Sequence, residues 1–249
     1  MIKAIRIKVF QQMPNYRKPS SFMIKETFPL PPYSTIIGMV HNACGYTKYH
    51  PMKVSVQGKY GCEVAECFTS YSFNPGSAFE NGRHQYYVEN EEGKHIGINR
   101  SLKYAQLLTD VELVIHILPE DYRELDEMLD GLKNPREYLS LGRREDIVRV
   151  DDVSIVELEK TDEDEEYFMN DYSAYLPEDY ISEYDKTTGG ISGTIYNVPK
   201  IFDASSKKRS WKEIVKARYL PPNKMICDSV ADNSNVYYDI QQKVPVFLA

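Results

Sequence analysis

Thr27-Phe28-Pro29-Leu30-Pro31-Pro32-Tyr33-Ser34-Thr35-Ile36-Ile37-Gly38-Met39 is the stretch from which the rest of the chain is best read. Its prolines hold residues 28–32 extended, because proline fixes φ and pushes the preceding residue out of the α region. Ser34 or Thr35 is then placed to cap a helix with its hydroxyl oxygen. Ile36, Ile37, Val40, Ala43 and Cys44 follow at the spacing of one apolar helical face, and Gly45 is the expected stop. The prediction is a helix whose N-terminus is presented by a stiff loop, and such an end attracts phosphate. A Pro-rich lead into an ordinary core helix accounts for the same residues.

Outward from this helix, strands and helices alternate. Residues 1–9 (Met1-Ile2-Lys3-Ala4-Ile5-Arg6-Ile7-Lys8-Val9) alternate apolar with basic or small side chains, the pattern of a half-buried strand. Residues 53–62 and 63–73 read as two short strands. Residues 74–100 read as loop, with turn signals at Asn74-Pro75-Gly76, Asn81-Gly82 and Glu92-Gly93. Val111, Leu113, Ile115 and Ile117 share one face of a further strand. Pro119, Glu120 and Asp121 suit the first turn of a helix whose inner stripe is Tyr122, Leu125, Leu129 and Leu132. Residues 147–158 supply another strand. This βαββαβ-like order predicts an α+β, ferredoxin-like (RRM-type) antiparallel sheet over residues 1–159. An acidic insertion and a β-rich C-terminal extension follow over residues 160–249, either as a second small domain or as a return to the first sheet. Pro221, Pro222 and Pro245 imply short strands near an edge there.

Charge is unevenly spread. The chain has 249 residues and a net charge of -7, wrong for an independent nucleic-acid-binding module. Residues 1–60, however, carry nine Lys/Arg against the single acid Glu26. Residues 151–200 carry the acidic excess, including the run Asp162-Glu163-Asp164-Glu165-Glu166, which repels itself and is usually solvated. Screening confines electrostatics to about 8–10 Å at physiological salt. A local basic face can therefore work on an anionic protein.

Cys44, Cys62, Cys67 and Cys227 show no C-x-x-C pair and no zinc spacing, so reduced, mostly buried thiols in a cytoplasmic protein are expected. The amino terminus does not read as a signal peptide, and no run reaches the length of a membrane span. Gly189-Gly190-Ile191-Ser192-Gly193 lacks the Gly-Lys-Ser/Thr ending of a phosphate loop and reads as a turn. No metal or cofactor is expected.

The string from Pro29 to Met39 resembles the N-terminal signature of CRISPR-associated protein family five, and Leu139-Ser140-Leu141-Gly142-Arg143-Arg144-Glu145 is similar to a second element of that family. These motifs lie in the family's order, and the resemblance covers roughly the first 150 residues. It implies a RAMP-superfamily subunit of a type I Cascade complex that holds the 5′ handle of the guide RNA (crRNA). Its implied partners are the backbone subunit and the large subunit, with target DNA met indirectly near the protospacer-adjacent motif.

Several side chains suit that role. Arg17, Lys18 and Lys25 approach the helix and can neutralise phosphates. Tyr33 offers a stacking face, and Ser34 and Thr35 offer hydroxyls and backbone donors. Gly142 permits close backbone approach, and Arg143 and Arg144 supply planar forks for phosphate, unless they pair with Glu145 and Asp146. Arg83, His84, Tyr86 and Tyr87 join charge and aromatic faces on a turn-rich segment that can grip a single strand or simply lie on the surface. Trp211, the sole tryptophan, follows Lys207-Lys208-Arg209 and suits either base stacking or a core position.

Two alternatives stand beside this one. A metal-independent endoribonuclease processing repeat RNA needs a placed general base or acid. His84 is the best exposed histidine by sequence, while His41 and His116 read as packed. An acidic protein-interaction scaffold needs no RNA site at all.

Overall fold

The computed structural model describes residues 1–160, 167–168, 171–183, 186, 191–203, 210–223, 225–226 and 235–249. The acidic run, Gly189-Gly190, Lys207-Lys208-Arg209 and Cys227 lie outside the described residues.

The architecture is mostly antiparallel sheet with few helices. The first strand, β1 (Ile2–Gln11), is followed by a short β2 (Ile24–Lys25) and helix α1 (Tyr33–Cys44). Next come β3 (Met52–Lys59), β4 (Glu63–Ala78), β5 (Tyr86–Glu89), β6 (His95–Leu108) and β7 (Val111–Pro119). Helix α2 (Leu125–Lys133) and β8 (Arg149–Lys160) precede β9 (Tyr167–Phe168) and β10 (Ser173–Pro177). The last strands are β11 (Thr194–Asp203), β12 (Ser210–Leu220), β13 (Met225–Ile226), β14 (Val236–Asp239) and β15 (Val244–Phe247).

At the centre β3, β7, β1 and β8 lie in that order, every neighbour antiparallel. The alternation of β1 sorts its two faces. Ile5, Ile7 and Val9 point into a core shared with α1 (Ile36, Val40) and α2 (Met128, Leu132). On the opposite face the register lines up Ser55, His116, Arg6 and Ser154 across four strands. That row is covered by the carboxyl end of the chain. β14 and β15 extend the sheet beyond β8, and Ala249 then exchanges both backbone hydrogen bonds with Val54 of β3. Asp239 is fully buried under this closure, 3.0 Å from Arg6 Nη1 and 2.9 Å from His116 Nε2. β10, β12 and β11 extend the same sheet past β3. None of the described helices is long and apolar enough to cross a membrane.

Three expectations need correction. Residues 74–100 are not a loop: β4, β5 and β6 pair into a second sheet, with β2 alongside β6. The turn signals there mark tight turns between strands, with Gly82 and Gly93 at positive φ. Neither Ser34 nor Thr35 caps α1, because the helix begins two to three residues earlier than expected, with Pro32 at the cap and no side-chain cap bond. Cys62 and Cys67 are exposed, not buried, because both lie at or near β4, which projects from the main sheet.

Candidate nucleic-acid interface

The segment between β1 and α1 is pinned to the loop before β8. Gln11, the last residue of β1, donates from Nε2 to the Leu141 and Asp146 carbonyls at 2.9 Å each, and accepts from the Tyr16 hydroxyl at 2.7 Å. The buried Asp146 carboxylate finishes the knot. Its Oδ2 accepts from the backbone N–H groups of Asn15 (3.0 Å) and Arg143 (2.8 Å), and its Oδ1 accepts from Arg143 Nη2 (2.7 Å). Gly142 sits at φ +113°, and a Cβ there would meet Asn15 O at 2.8 Å and Asp146 Oδ2 at 2.9 Å. Only glycine lets the two loops approach this closely.

This knot places the tip of α1 beside Arg17 and the Gly142-Arg143 turn. Between them lies a cavity of about 410 Å³, lined at the helix end by Pro32, Ser34 and Thr35 and on the loop side by Asn15, Arg17 and Arg143. Trp211 and Pro199 close it from the β11–β12 pair, and Phe22 stands at its rim. The first turn of α1 contains no acid, so its dipole is not offset locally. The Thr35 N–H turns back to Pro32 O, while the N–H groups of Tyr33 and Ser34 have no protein acceptor among the described residues.

Arg17 and Lys25 have no carboxylate in ion-pair reach among the described residues, whereas Arg143 and Lys18 are each paired. Burial lowers the Lys25 ammonium from its ordinary value, and the charges of Arg17, Arg143 and Lys103 lower it further, against a smaller opposing effect of Glu145. Such a group favours an arriving anion, which relieves the repulsion. Lys25 also lies over the Phe68 ring at 4.4 Å. Lys18 is partly neutralised by Glu26 at 3.3 Å.

The predicted residues divide accordingly. Arg17, Ser34, Thr35, Gly142 and Arg143 come together at one cavity, and Lys25 adds its charge to the group. Arg143 is not a free fork: it is held bidentately by Asp146 and also pairs with Glu145 at 3.3 Å. Arg144 is exposed and lies off the cavity lining. Tyr33 offers no stacking face, because it is fully buried in the core and packs edge-on against Tyr175 at 6.1 Å. His84 is not exposed either. Its ring is buried against Gly97, and Nδ1 accepts from the Glu80 N–H at 3.1 Å. Arg83 is exposed and pairs with Glu80 at 3.3 Å, and Tyr86 is half exposed on β5, edge-on to Tyr71. Neither lines the cavity.

The sequence reading missed Asn15, Phe22, Pro199 and Lys103. Long-range packing brings them in, and only the proline and aromatic content near Arg17 hinted at it.

The family described as "CRISPR-associated protein (Cas_Cas5)" matches residues 4–226. The chain belongs to this family. Its match runs well past residue 150 and takes in β11 and β12, the pair that supplies Trp211 to the cavity. A chain titled "CRISPR RNA-guided surveillance complex" is similar at 18% identity and a TM-score of 0.55, covering 89% of this chain and 91% of its own. That likeness shows a shared fold. A CRISPR protein from Archaeoglobus fulgidus covers 98% of each chain at 12% identity, with a TM-score of 0.48. No curated protein matches the chain.

Proposed function

We propose that this chain is a non-catalytic CRISPR effector subunit that grips the 5′ handle of crRNA in a type I Cascade complex. The supporting observation is the cavity that joins the uncapped tip of α1 to Arg17 and the Gly142-Arg143 turn, with Lys25 beside them. Phosphates sit at the free N–H groups and the cations, and the knotted loops hold this anion site in shape. On the same reading β1, α1, β3, β7, α2 and β8 form a ferredoxin-like, RRM-type unit within residues 1–159, an assignment that the β3-β7-β1-β8 order supports. Residues 160–249 are its β-rich extension, and they add a wall to the RNA site. The backbone subunit, the large subunit and the DNA near the protospacer-adjacent motif are its proposed neighbours.

Cleavage loses its best sequence candidate with the burial of His84. Purification of the tagged chain with its genomic neighbours, followed by sequencing of small RNA, tests the proposal. Repeat-derived RNA with one defined 5′ end is expected. Absence of RNA, or RNA of random sequence, refutes it. Specific cleavage of repeat RNA by the isolated chain in EDTA would instead establish the endoribonuclease reading.

A further inference from the structure

We infer that the cavity at the tip of α1 is a pocket for a single extruded nucleotide, whose base lies on the Trp211 indole while Asn15 Oδ1 accepts an N–H from its edge. This rests on the RNA-binding reading above and goes beyond it, because phosphate contacts alone need no pocket.

Size is the first argument. At about 410 Å³ the cavity falls near the lower end of small-molecule pockets, with room for one nucleotide and not a stack of them. Its walls supply the second. The handles for a phosphate, Arg17 and the helix N–H groups, share this cavity with the apolar groups of Trp211, Pro199 and Phe22. Apolar walls and an anion site in one cavity match the two ends of a nucleotide and suit no purely ionic ligand. Trp211 touches Phe202 edge-on at 6.2 Å and is only partly buried. Bases of any identity stack on such a ring.

Asn15 supplies the third argument, independent of the others. It lines the cavity, is 1% exposed, and its Nδ2 donates to the carbonyls of Lys25 (2.8 Å) and Gln106 (2.6 Å). Those bonds fix the amide orientation, and Oδ1 is left with no partner among the described residues. A buried acceptor without a donor is rare in a native protein, so each instance calls for a cause. Every nucleobase carries at least one N–H on its pairing edge or as an exocyclic amine, so a base whose edge reaches this side chain supplies the missing donor. Lys25 O and Gln106 O tie this one side chain to β2 and β6, so the acceptor is held in place before RNA arrives.

Because Trp211 is the sole tryptophan, the wild-type protein reports on the pocket directly. Synthetic copies of the repeat RNA encoded with this chain are titrated in while tryptophan emission is followed, with one base at a time replaced by an abasic site. One position is expected to stand out: its abasic RNA binds about 10-fold more weakly, within the range of single-base stacking, and fails to quench. In Trp211→Ala that penalty shrinks below about 2-fold, whereas Trp211→Phe keeps most of it. Thermal melts of both variants confirm folding, and the wild-type quenching needs no variant at all. Salt-sensitive binding with no quenching, or with equal penalties at every position, overturns the pocket and leaves the RNA-binding reading intact. Absence of any salt-sensitive binding removes both.

Discussion

Asp146→Asn isolates the knot on which the cavity depends. The wild-type carboxylate serves two backbone N–H groups through Oδ2 and the Arg143 guanidinium through Oδ1 and Oδ2. An amide keeps one acceptor oxygen and turns an NH2 toward donors, so at least two charge-assisted bonds are lost. Each is worth about 1.5–3 kcal/mol, and removing one partner of a buried pair costs about 3–5 kcal/mol. The Arg143 side chain is 22% exposed, so water recovers part of that. The lower figure, about 3 kcal/mol, is therefore expected. For a chain of this size it lowers Tm by roughly 6–12 °C. RNA affinity should fall as well, since the Asn15 and Gly142-Arg143 walls come loose together. Thermal unfolding and RNA titration of the same preparation check both effects. A melt within a degree of wild type, with RNA binding unchanged, refutes the knot.

Gly142→Ala forces a Cβ onto Asn15 O at left-handed φ and should cost about 1–3 kcal/mol, read by urea unfolding. Tyr33→Phe removes a buried hydroxyl that has no partner among the described residues, so stability should hold or rise by up to about 1 kcal/mol with RNA affinity unchanged; a loss of affinity would restore its stacking role. The Arg6–His116–Asp239 cluster makes the fold acid-sensitive. Burial pushes the Asp239 carboxyl up, but hydrogen bonds and charge from His116, the Gln242 N–H and Arg6 outweigh it and hold the group at about 2. Burial holds the His116 imidazole below its ordinary value. Both groups are depressed, so each stabilises above its unfolded pKa and loses that contribution as pH falls. Stability should decline below about pH 6.5 as unfolded histidine takes up protons, and again from about pH 4 toward 2 for the aspartate. Asp239→Asn should cost about 3 kcal/mol or more at pH 7, with the difference from wild type narrowing on acidification; a constant difference in urea melts from pH 7 to 3 counts against this.

Much of the central sheet was readable because its signals are local. The alternation in β1 and β7 and the apolar stripe of α1 each commit one face to a core. The first helix starts earlier than expected because Pro32 itself can occupy the cap, and a capping hydroxyl is not required when a stiff loop fixes the chain direction. Residues 63–73 were legible as a strand, but the end of β4, β5 and the start of β6 were missed because Pro75, Gly82 and Gly93 look like loop residues, whereas the strands between them gain their order from pairing with one another. The site was legible in outline. Arg17, Ser34, Thr35, Gly142 and Arg143 do meet, but sequence cannot tell a phosphate fork from a structural one. Arg143 is bound to Asp146 three residues on, and that pairing locks a turn whose purpose is the contact with Asn15. Tyr33 and His84 were misread for a related reason: polar aromatic residues at turns look exposed until distant elements, β10 for Tyr33 and Gly97 for His84, cover them.

The salt dependence of repeat-RNA binding tests the central claim most directly, using wild type beside Arg17→Gln/Lys25→Gln. For single-stranded RNA, log affinity falls against log salt with a slope of about -0.7 per phosphate neutralised. Loss of two cations from a shared anion site should flatten that slope by roughly 1.4 while the melting temperature stays near wild type. A wild-type affinity that ignores salt, or a double variant whose slope is unchanged, would mean that these cations do not hold RNA.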